Sequence, residues 1–183
     1  MLLESEFTLL GDAVWLDFVN TARGREASPP DRLRDLPALH RWVRAQCLDW
    51  LPEDAPSLEE ALLFRERLVA LAEALHHTLQ PPPASISAIN EQLARSSGHH
   101  QLTRISGAWQ LRFAPSRRPT LLQAIAGSAA TGLAQPALAV RRCAGPSCSL
   151  FFTDDSPNQG RRWCSPAVCG GQVTIERRRG LLR

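Results

Sequence analysis

The sequence predicts an α+β fold, in which a mostly helical N-terminal domain with a small β-hairpin is followed by a small cysteine-rich module. Apolar residues recur with a period near 3.6 through most of the first 138 positions, which is typical of amphipathic helices. One pair of short segments around residue 107 alternates apolar and polar residues instead, as a hairpin does. Four of the five cysteines lie after residue 142. We therefore expect two domains, 1–138 and 139–183.

Two helices are predicted before residue 48. Apolar residues between positions 14 and 19 are spaced as on a helix, so we expect helical structure over residues 16–20. A second helix is expected over residues 33–47, and Pro37 suits its first turn because the missing N–H costs nothing there. Cys47 falls on the apolar face of this helix, so we expect a buried, unreactive thiol.

A capping box, in which Ser57 is followed three residues later by Glu60, predicts the start of a long helix that ends before the three prolines at 81–83. Arg65 lies on the apolar stripe of this helix. A buried guanidinium needs a carboxylate or an anionic ligand as its partner, so Arg65 is a candidate binding residue. A further helix is expected over residues 84–95.

The alternating segments 102–105 and 109–113 are joined by Ser106-Gly107 and predict the hairpin. An alanine-rich helix is expected from Leu121 to Leu133. Residues 138–142 then predict a strand that leads into the first cysteine pair.

Charge is unevenly distributed along the chain. Residues 141–183 carry eight arginines and three acidic residues, a net charge of +5, whereas residues 1–140 carry a net charge of −2. A basic module beside a mildly acidic domain is expected when the module faces a polyanion such as DNA. The alternative is that the basic residues are simply solvated.

Four C-terminal cysteines form two pairs, with four residues inside each pair and fifteen residues between the pairs. They are Cys143, Cys148, Cys164 and Cys169. This spacing suits one tetrahedral Zn²⁺ ion. Gly145-Pro146 predicts a turn in the first pair. Ser165 and Pro166 predict a helix start that carries the last cysteine, where free N–H groups favour a lowered thiol pKa.

Two disulfides would also fit this spacing in an oxidising compartment. Zinc is favoured because disulfides would leave Cys47 unpaired and because the N-terminus lacks the basic and apolar regions of an export signal. Four cysteine ligands close the coordination shell, so the expected ion is structural rather than catalytic. No run of eighteen apolar residues occurs, and we expect a cytoplasmic protein that does not enter a membrane.

The C-terminal segment resembles the CGNR-type zinc finger. The likeness rests on both cysteine pairs, on Phe151-Phe152, and on the run from Arg161 to Ser165. The N-terminal Leu16-Asp17-Phe18-Val19-Asn20-Thr21 is similar to the ABATE domain, which precedes this finger in bacterial proteins proposed to be stress-induced transcription regulators. The resemblance covers nearly the whole chain. It implies a treble-clef-like zinc module that binds DNA and an N-terminal domain that responds to a ligand or signal.

The chain departs from the family at the motif that names it. The family has Cys-Gly-Asn-Arg followed by a Lys, whereas this chain has Gly170-Gly171-Gln172 after Cys169, and then Thr174. The zinc ligands are retained, but an Arg and a Lys that could reach phosphate are absent. We expect other arginines to contact DNA phosphates. They are Arg161, Arg162, Arg177, Arg178 and Arg179. The alternative is a finger that binds a protein or RNA.

Asp17, Asn20 and Arg65 are polar residues that lie among apolar ones, and they predict a ligand-binding site in the N-terminal domain. In this hypothesis Asn20 and Arg65 contact a small polar or anionic ligand, and Asp17 positions Arg65. The alternative is helix capping and a buried hydrogen-bond network. No catalytic motif occurs, so we expect no enzyme, although an active site in the N-terminal domain is a third and weaker alternative. A homodimer on adjacent half-sites is the expected route to DNA specificity.

Overall fold

The computed structural model describes residues 6–23, 31–48 and 56–171. The helices are α1 (Val14–Val19), α2 (Leu36–Ala45), α3 (Leu58–His76), α4 (Pro83–Ala94), α5 (Leu121–Leu133) and a short finger helix (Pro166–Gly170). The strands are β1 (Gly98–Ile105), β2 (Ala108–Pro115), β3 (Val140–Arg142) and β4 (Phe151–Thr153). The α+β prediction is confirmed.

Side-chain caps fix the starts of the main helices. Asp35 accepts a hydrogen bond from the N–H of Ala38 at the start of α2. The predicted capping box at Ser57 is present at the start of α3, and Thr120 makes a second capping box with Gln123 at the start of α5.

The prediction for Cys47 is wrong, because this residue is exposed. Helix α2 ends two residues earlier, and Cys47 adopts a φ of 55° in the turn that follows. The N–H groups of Cys47 and Leu48 bond to the carbonyls of Arg44 and Val43, which is the Schellman pattern of a helix C-terminus. This turn directs Leu48 into the core and leaves the thiol outside.

The main core, which we call the helical core, forms around α1. This helix packs against α3 and α5. Trp15, Leu16, Phe18 and Val19 are fully buried. The ring of Phe18 lies 5.2 Å from that of Trp42 on α2. None of the helices in the described ranges has the length and apolarity needed to cross a bilayer.

Strands β1 and β2 form an antiparallel ribbon that confirms the predicted hairpin. Its turn residues, Ser106 and Gly107, both have positive φ, at 50° and 85°. Such a turn matches the twist of the flanking strands. Nearly all residues of the ribbon are exposed on both faces.

Strands β3 and β4 form a second, shorter hairpin that joins the two parts of the chain. Phe151 is buried in the helical core, whereas the next residue, Phe152, is buried in a separate cluster around the C-terminal cysteines. Successive side chains of a strand point to opposite faces, so β4 contributes to two cores at once. The finger, residues 139–171, therefore packs directly on the helical core.

Candidate metal centre

The four cysteines are brought together by the β3–β4 hairpin and the finger helix. Cys143 directly follows β3, and its N–H donates to the carbonyl of Leu150. The N–H of Cys148 closes the turn by bonding to the carbonyl of Gly145. Ser165 caps the finger helix through its hydroxyl, which accepts from the N–H of Val168. This confirms the predicted helix start and places Cys169 in the first turn.

The geometry of the sulfurs matches a tetrahedral metal site. The four Sγ atoms lie within 4.8 Å of one another. The Sγ atoms of Cys148 and Cys164 are 3.8 Å apart, and those of Cys164 and Cys169 are 3.7 Å apart. A tetrahedral ion with Zn–S bonds of about 2.3 Å requires sulfurs about 3.8 Å apart. The donor set therefore fits Zn²⁺.

Close packing at the site requires a glycine. A Cβ atom at Gly145 would lie 3.1 Å from the Cβ of Cys148 and 3.4 Å from the Sγ of Cys169. The contacts with the Cβ atoms, at 3.1 Å for Cys148 and 3.3 Å for Cys169, are tighter than normal, so a side chain at Gly145 would push these two cysteines back by a few tenths of an ångström.

The thiols alone do not support four negative charges. Hydrogen bonds from Cys148 and Cys164 lower the pKa of Cys143 to about 2. The hydrogen bond to Cys143 raises the pKa of Cys148 to about 12. Hydrogen bonds to Cys143 and Cys148 raise the pKa of Cys164. Burial raises the pKa of Cys169, so the lowered pKa expected from its helix position is not found. A divalent cation supplies the charge that lets all four act as thiolates.

The loop before Cys164 is held by Asp154, which is only 2% exposed. Its carboxylate accepts hydrogen bonds from the N–H and hydroxyl of Ser156 and from the N–H of Arg161. Burial alone raises the pKa of Asp154, but these bonds outweigh it and lower the pKa overall. Asp154 therefore fixes the loop that carries the second cysteine pair.

The guanidinium of Arg161 makes its contacts within the protein, and the side chain is 20% exposed. The guanidinium donates to the carbonyls of Trp163 and Cys164, at 3.0 and 2.6 Å, and to the carboxylate of Asp12 at 2.6 Å. It also lies 4.5 Å from the ring centroid of Phe152. The group predicted to bind phosphate is thus used to fix a zinc ligand and to join the finger to the loop before α1.

The other predicted DNA contacts are differently placed. Arg162 is exposed, and its guanidinium lies over the ring of the half-buried Trp163, 5.5 Å from the centroid. Arg177, Arg178 and Arg179 lie outside the described residues. Phe151 and Phe152 are fully buried, as expected for core packing.

Asn20 joins the two cores. Its side-chain amide donates to the carbonyl of Phe151 at 2.8 Å and accepts from the N–H of the same residue at 2.9 Å. The N–H of Thr153 donates to the carbonyl of Gly11 close by. Asn20 is 3% exposed, so these bonds are made away from water. The predicted contact of Asn20 with a ligand stays a prediction.

Asp17 and Asn20 line one small cavity, as predicted, but Arg65 is not part of its lining. The carboxylate of Asp17 accepts from the N–H of Gly11 at 2.7 Å, and burial raises its pKa. Arg65 forms an ion pair with Asp31 and donates to the hydroxyl of Thr21. The partner of Arg65 is therefore Asp31, and the prediction that Asp17 positions it is wrong.

A cleft that sequence reasoning missed lies where the finger meets the helical core. Its volume is about 760 Å³, within the range of small-molecule sites. Residues 12–15, α5, the segment after α5 and residues 153–155 of the finger line it. The indole N–H of Trp15 is buried beside Gly132 of this lining, with no hydrogen-bond partner in the described part of the chain. No sequence motif marks this cleft, because its residues are scattered over 140 positions.

The fold and the cysteine site define a zinc-finger protein whose finger is packed on a helical domain. Comparison with known families agrees with this class. Residues 12–136 match the ABATE family, described as "Putative stress-induced transcription regulator", and residues 139–180 match the CGNR zinc finger. The chain belongs to the ABATE family and carries one structural zinc ion in its finger. Among curated proteins, no sequence matches the chain.

Proposed function

We propose that this protein is a DNA-binding transcription regulator that acts by binding rather than by catalysis. The observation that carries the proposal is the cysteine cluster, after which the sequence has three consecutive arginines at positions 177–179. A zinc ion held by four thiolates fixes the last ligand, Cys169, relative to the helical core. Phosphate contacts then come from Arg162 and from Arg177 to Arg179.

The absence of the family's Arg and Lys after Cys169 favours a second candidate, a finger that binds RNA or a protein. The two candidates differ in one measurable property, which is the salt dependence of binding to duplex DNA. When a protein neutralises several phosphates, the logarithm of its affinity for DNA falls linearly with the logarithm of the salt concentration. A protein-binding finger shows no comparable affinity for DNA.

The experiment is a titration of zinc-loaded protein into labelled duplex DNA across a salt series, with three variants alongside. They are Arg162→Gln, Arg112→Gln, and a triple Arg177/Arg178/Arg179→Ala. Arg112 is an exposed arginine on the polar face of the ribbon and serves as the matched control for removal of one charge. We expect the finger variants to weaken binding and reduce the salt slope by about one for each arginine that no longer reaches a phosphate. Absent or millimolar binding, or equal effects of Arg162→Gln and Arg112→Gln, would reject the DNA function of the finger.

We also propose that the cleft between the helical core and the finger is the ligand-sensing site. A ligand there contacts both parts of the chain, which a pocket inside the helical core does not. Its lining is largely apolar, with Asp155 exposed and Asp12 at its rim. An apolar molecule with a cationic group near Asp155 suits this lining better than an anion.

Two benzamides of opposite charge test this site. N-(2-aminoethyl)benzamide carries an ammonium group where hippurate carries a carboxylate, and we expect only the former to bind in calorimetric or ligand-observed NMR titrations. A Cβ at Gly132 lies at ordinary contact distance, 3.6 Å from Nε1 of Trp15, whereas a Cβ at Gly127 meets nothing within 4 Å. Gly132→Leu should therefore abolish binding and Gly127→Leu should not. Equal binding of both benzamides, or equal effects of both variants, would count against the site.

A further inference from the structure

The β1–β2 ribbon has one apolar face. The pairing register places His100 opposite Phe113, Leu102 opposite Leu111, and Arg104 opposite Trp109. Residues directly opposite each other in an antiparallel pair share a face, and so do residues two apart on one strand. These six residues therefore form one surface, which we call the apolar face of the ribbon. The other face carries polar residues, including Gln101, Thr103, Gln110 and Arg112.

The apolar face is open to solvent in the single chain. Exposed fractions are 66% for Leu102, 67% for Leu111, 68% for Trp109 and 46% for Phe113. A two-stranded ribbon with no cover is marginally stable in water. Soluble monomers rarely expose a contiguous apolar surface of this kind, and where one occurs it usually marks an interaction site.

We propose that the apolar face of the ribbon packs against the same face of a second copy of this chain. The Leu102–Leu111 pair lies at the middle of the face, and the two flanking pairs lie about 6.8 Å to either side of it along the strands. A two-fold axis that lies between the two faces at the leucine pairs, perpendicular to the strands, brings the Trp109 end of one ribbon over the Phe113 end of the other. Such a surface is self-complementary, which is what a closed dimer requires.

The chemistry of the flanking pairs suits this arrangement. In the dimer Trp109 of each copy meets Phe113 of the other, and aromatic pairs of this kind stabilise interfaces beyond their buried area. Arg104 of each copy lies over the His100–Phe113 end of the other copy, where a guanidinium binds a ring face. A polyanion suits the face less well, because Arg112 lies on the opposite side of the ribbon and Arg104 is the one arginine on this face.

The area is sufficient for a reversible dimer. The four apolar side chains expose about 500 Å² in each copy, estimated from the usual surface of such side chains and their exposed fractions. Two copies would bury about 1,000 Å², near the lower limit of specific interfaces. We therefore expect self-association at micromolar concentrations. Dimerisation would give the regulator two fingers for two half-sites, although the contact itself does not depend on DNA binding.

The test is sedimentation velocity of the full-length, zinc-loaded protein, diluted from about 100 to about 1 μM around the expected affinity. Leu111→Glu places a charge on the apolar face, and Gln110→Glu places the same charge on the other face of the same strand. We expect the dimer dissociation constant to rise at least 100-fold in Leu111→Glu and less than threefold in Gln110→Glu. Both positions are exposed, and circular dichroism checks that both variants fold. A monomer at the highest concentration, or a dimer unaffected by Leu111→Glu, would overturn the proposal.

Cysteine cross-linking tests the two-fold axis itself. In a Cys47→Ser background, which removes the exposed native thiol, a short bismaleimide should link two copies of Leu111→Cys and should not link Gln110→Cys. Facing sheets pack about 10 Å apart, which is too far for a disulfide but within reach of such a reagent. Equal cross-linking of the two variants would contradict the arrangement. DNA binding by the Leu111→Glu monomer is measured separately, so a failed dimer and a failed DNA function give different results.

Discussion

The side-chain amide of Asn20 bonds to both the N–H and the carbonyl of Phe151, which lies 131 residues later in the chain. The amide thus pairs with β4 as a neighbouring strand would. Both partners are buried, so water cannot replace either bond. This contact ties the helical core to the strand on which the zinc cluster is built.

Replacing Asn20 by Asp should therefore destabilise the whole protein. The carboxylate retains an acceptor for the N–H of Phe151 but loses the donor to its carbonyl and places a charge in a buried site. We expect the free energy of unfolding to fall by about 2 kcal/mol or more. Urea unfolding measures the change, with Asn90→Asp on the exposed side of α4 as the matched control. Similar values for the two variants would show that the contact contributes little.

The adjacent residues Arg161 and Arg162 should have opposite roles. Arg161→Gln removes the bonds to Asp12 and to the carbonyl of Cys164, so we expect zinc affinity to fall about 10- to 100-fold, as for other residues that orient metal ligands. Arg162→Gln should leave zinc affinity unchanged, because its side chain is exposed. Competition with a chromogenic chelator measures both. A larger loss in Arg162→Gln would reverse the assignment.

Removal of zinc should destabilise the helical core as well as the finger. Without the ion the four thiols no longer hold β4, and Phe151 on β4 is part of the helical core. We expect one cooperative thermal transition in the zinc-bound protein and a transition at lower temperature after chelation. Near-ultraviolet circular dichroism follows the buried Trp15 and Trp42 of the helical core. An unchanged signal from these residues after chelation would show that the two cores are independent.

Lowering the pH should reduce the free energy of unfolding partly through protonation of Asp31. Burial alone raises the pKa of this carboxyl, but hydrogen bonds from Arg65 outweigh it and lower the pKa below the ordinary value. A lowered folded-state pKa contributes stability that is present above the unfolded pKa, near 3.9, and is lost as pH falls through the folded pKa. The difference in unfolding free energy between the native protein and Asp31→Asn should therefore shrink below about pH 4. Zinc loss at low pH affects both proteins and cancels in the difference.

Arg65→Met should reduce stability rather than remove a ligand site. The substitution leaves the hydroxyl of Thr21 without its donor and Asp31 without its counter-ion. We expect a loss of about 1–3 kcal/mol, reduced by the partial exposure of Asp31. Combining it with Asp31→Asn in a double-mutant cycle isolates the pair. A cycle with no coupling energy would show that the two side chains act independently.

Structural features that depend only on neighbouring residues could be predicted from the sequence. The capping box at Ser57, the Ser106-Gly107 turn, and the Ser165-Pro166 helix start each depend on neighbouring residues and were found as expected. The zinc cluster was predictable because the ion requires two closely spaced cysteine pairs. In each case the chemistry of a few consecutive residues decides the local structure.

Features that depend on distant contacts were not predictable in this way. Asp31, rather than Asp17, is the partner of Arg65, because the chain folds back to α3 beyond residue 30. The adjacent arginines 161 and 162 are equivalent by composition, and only the positions of Asp12 and the Cys164 carbonyl separate their roles. Cys47 was misplaced because a periodic pattern does not show that the helix ends two residues before it.

The opposed burial of Phe151 and Phe152 limits how this finger can be exchanged between proteins. Inserting or deleting one residue in β4 would turn each ring toward the other core, since neighbouring positions of a strand face opposite ways. If the finger were fused to another domain, Phe151 would be exposed unless that domain had a matching apolar cavity and an amide equivalent to Asn20. The two halves of this chain therefore depend on each other for packing, and exchanging either one requires matched changes in the other.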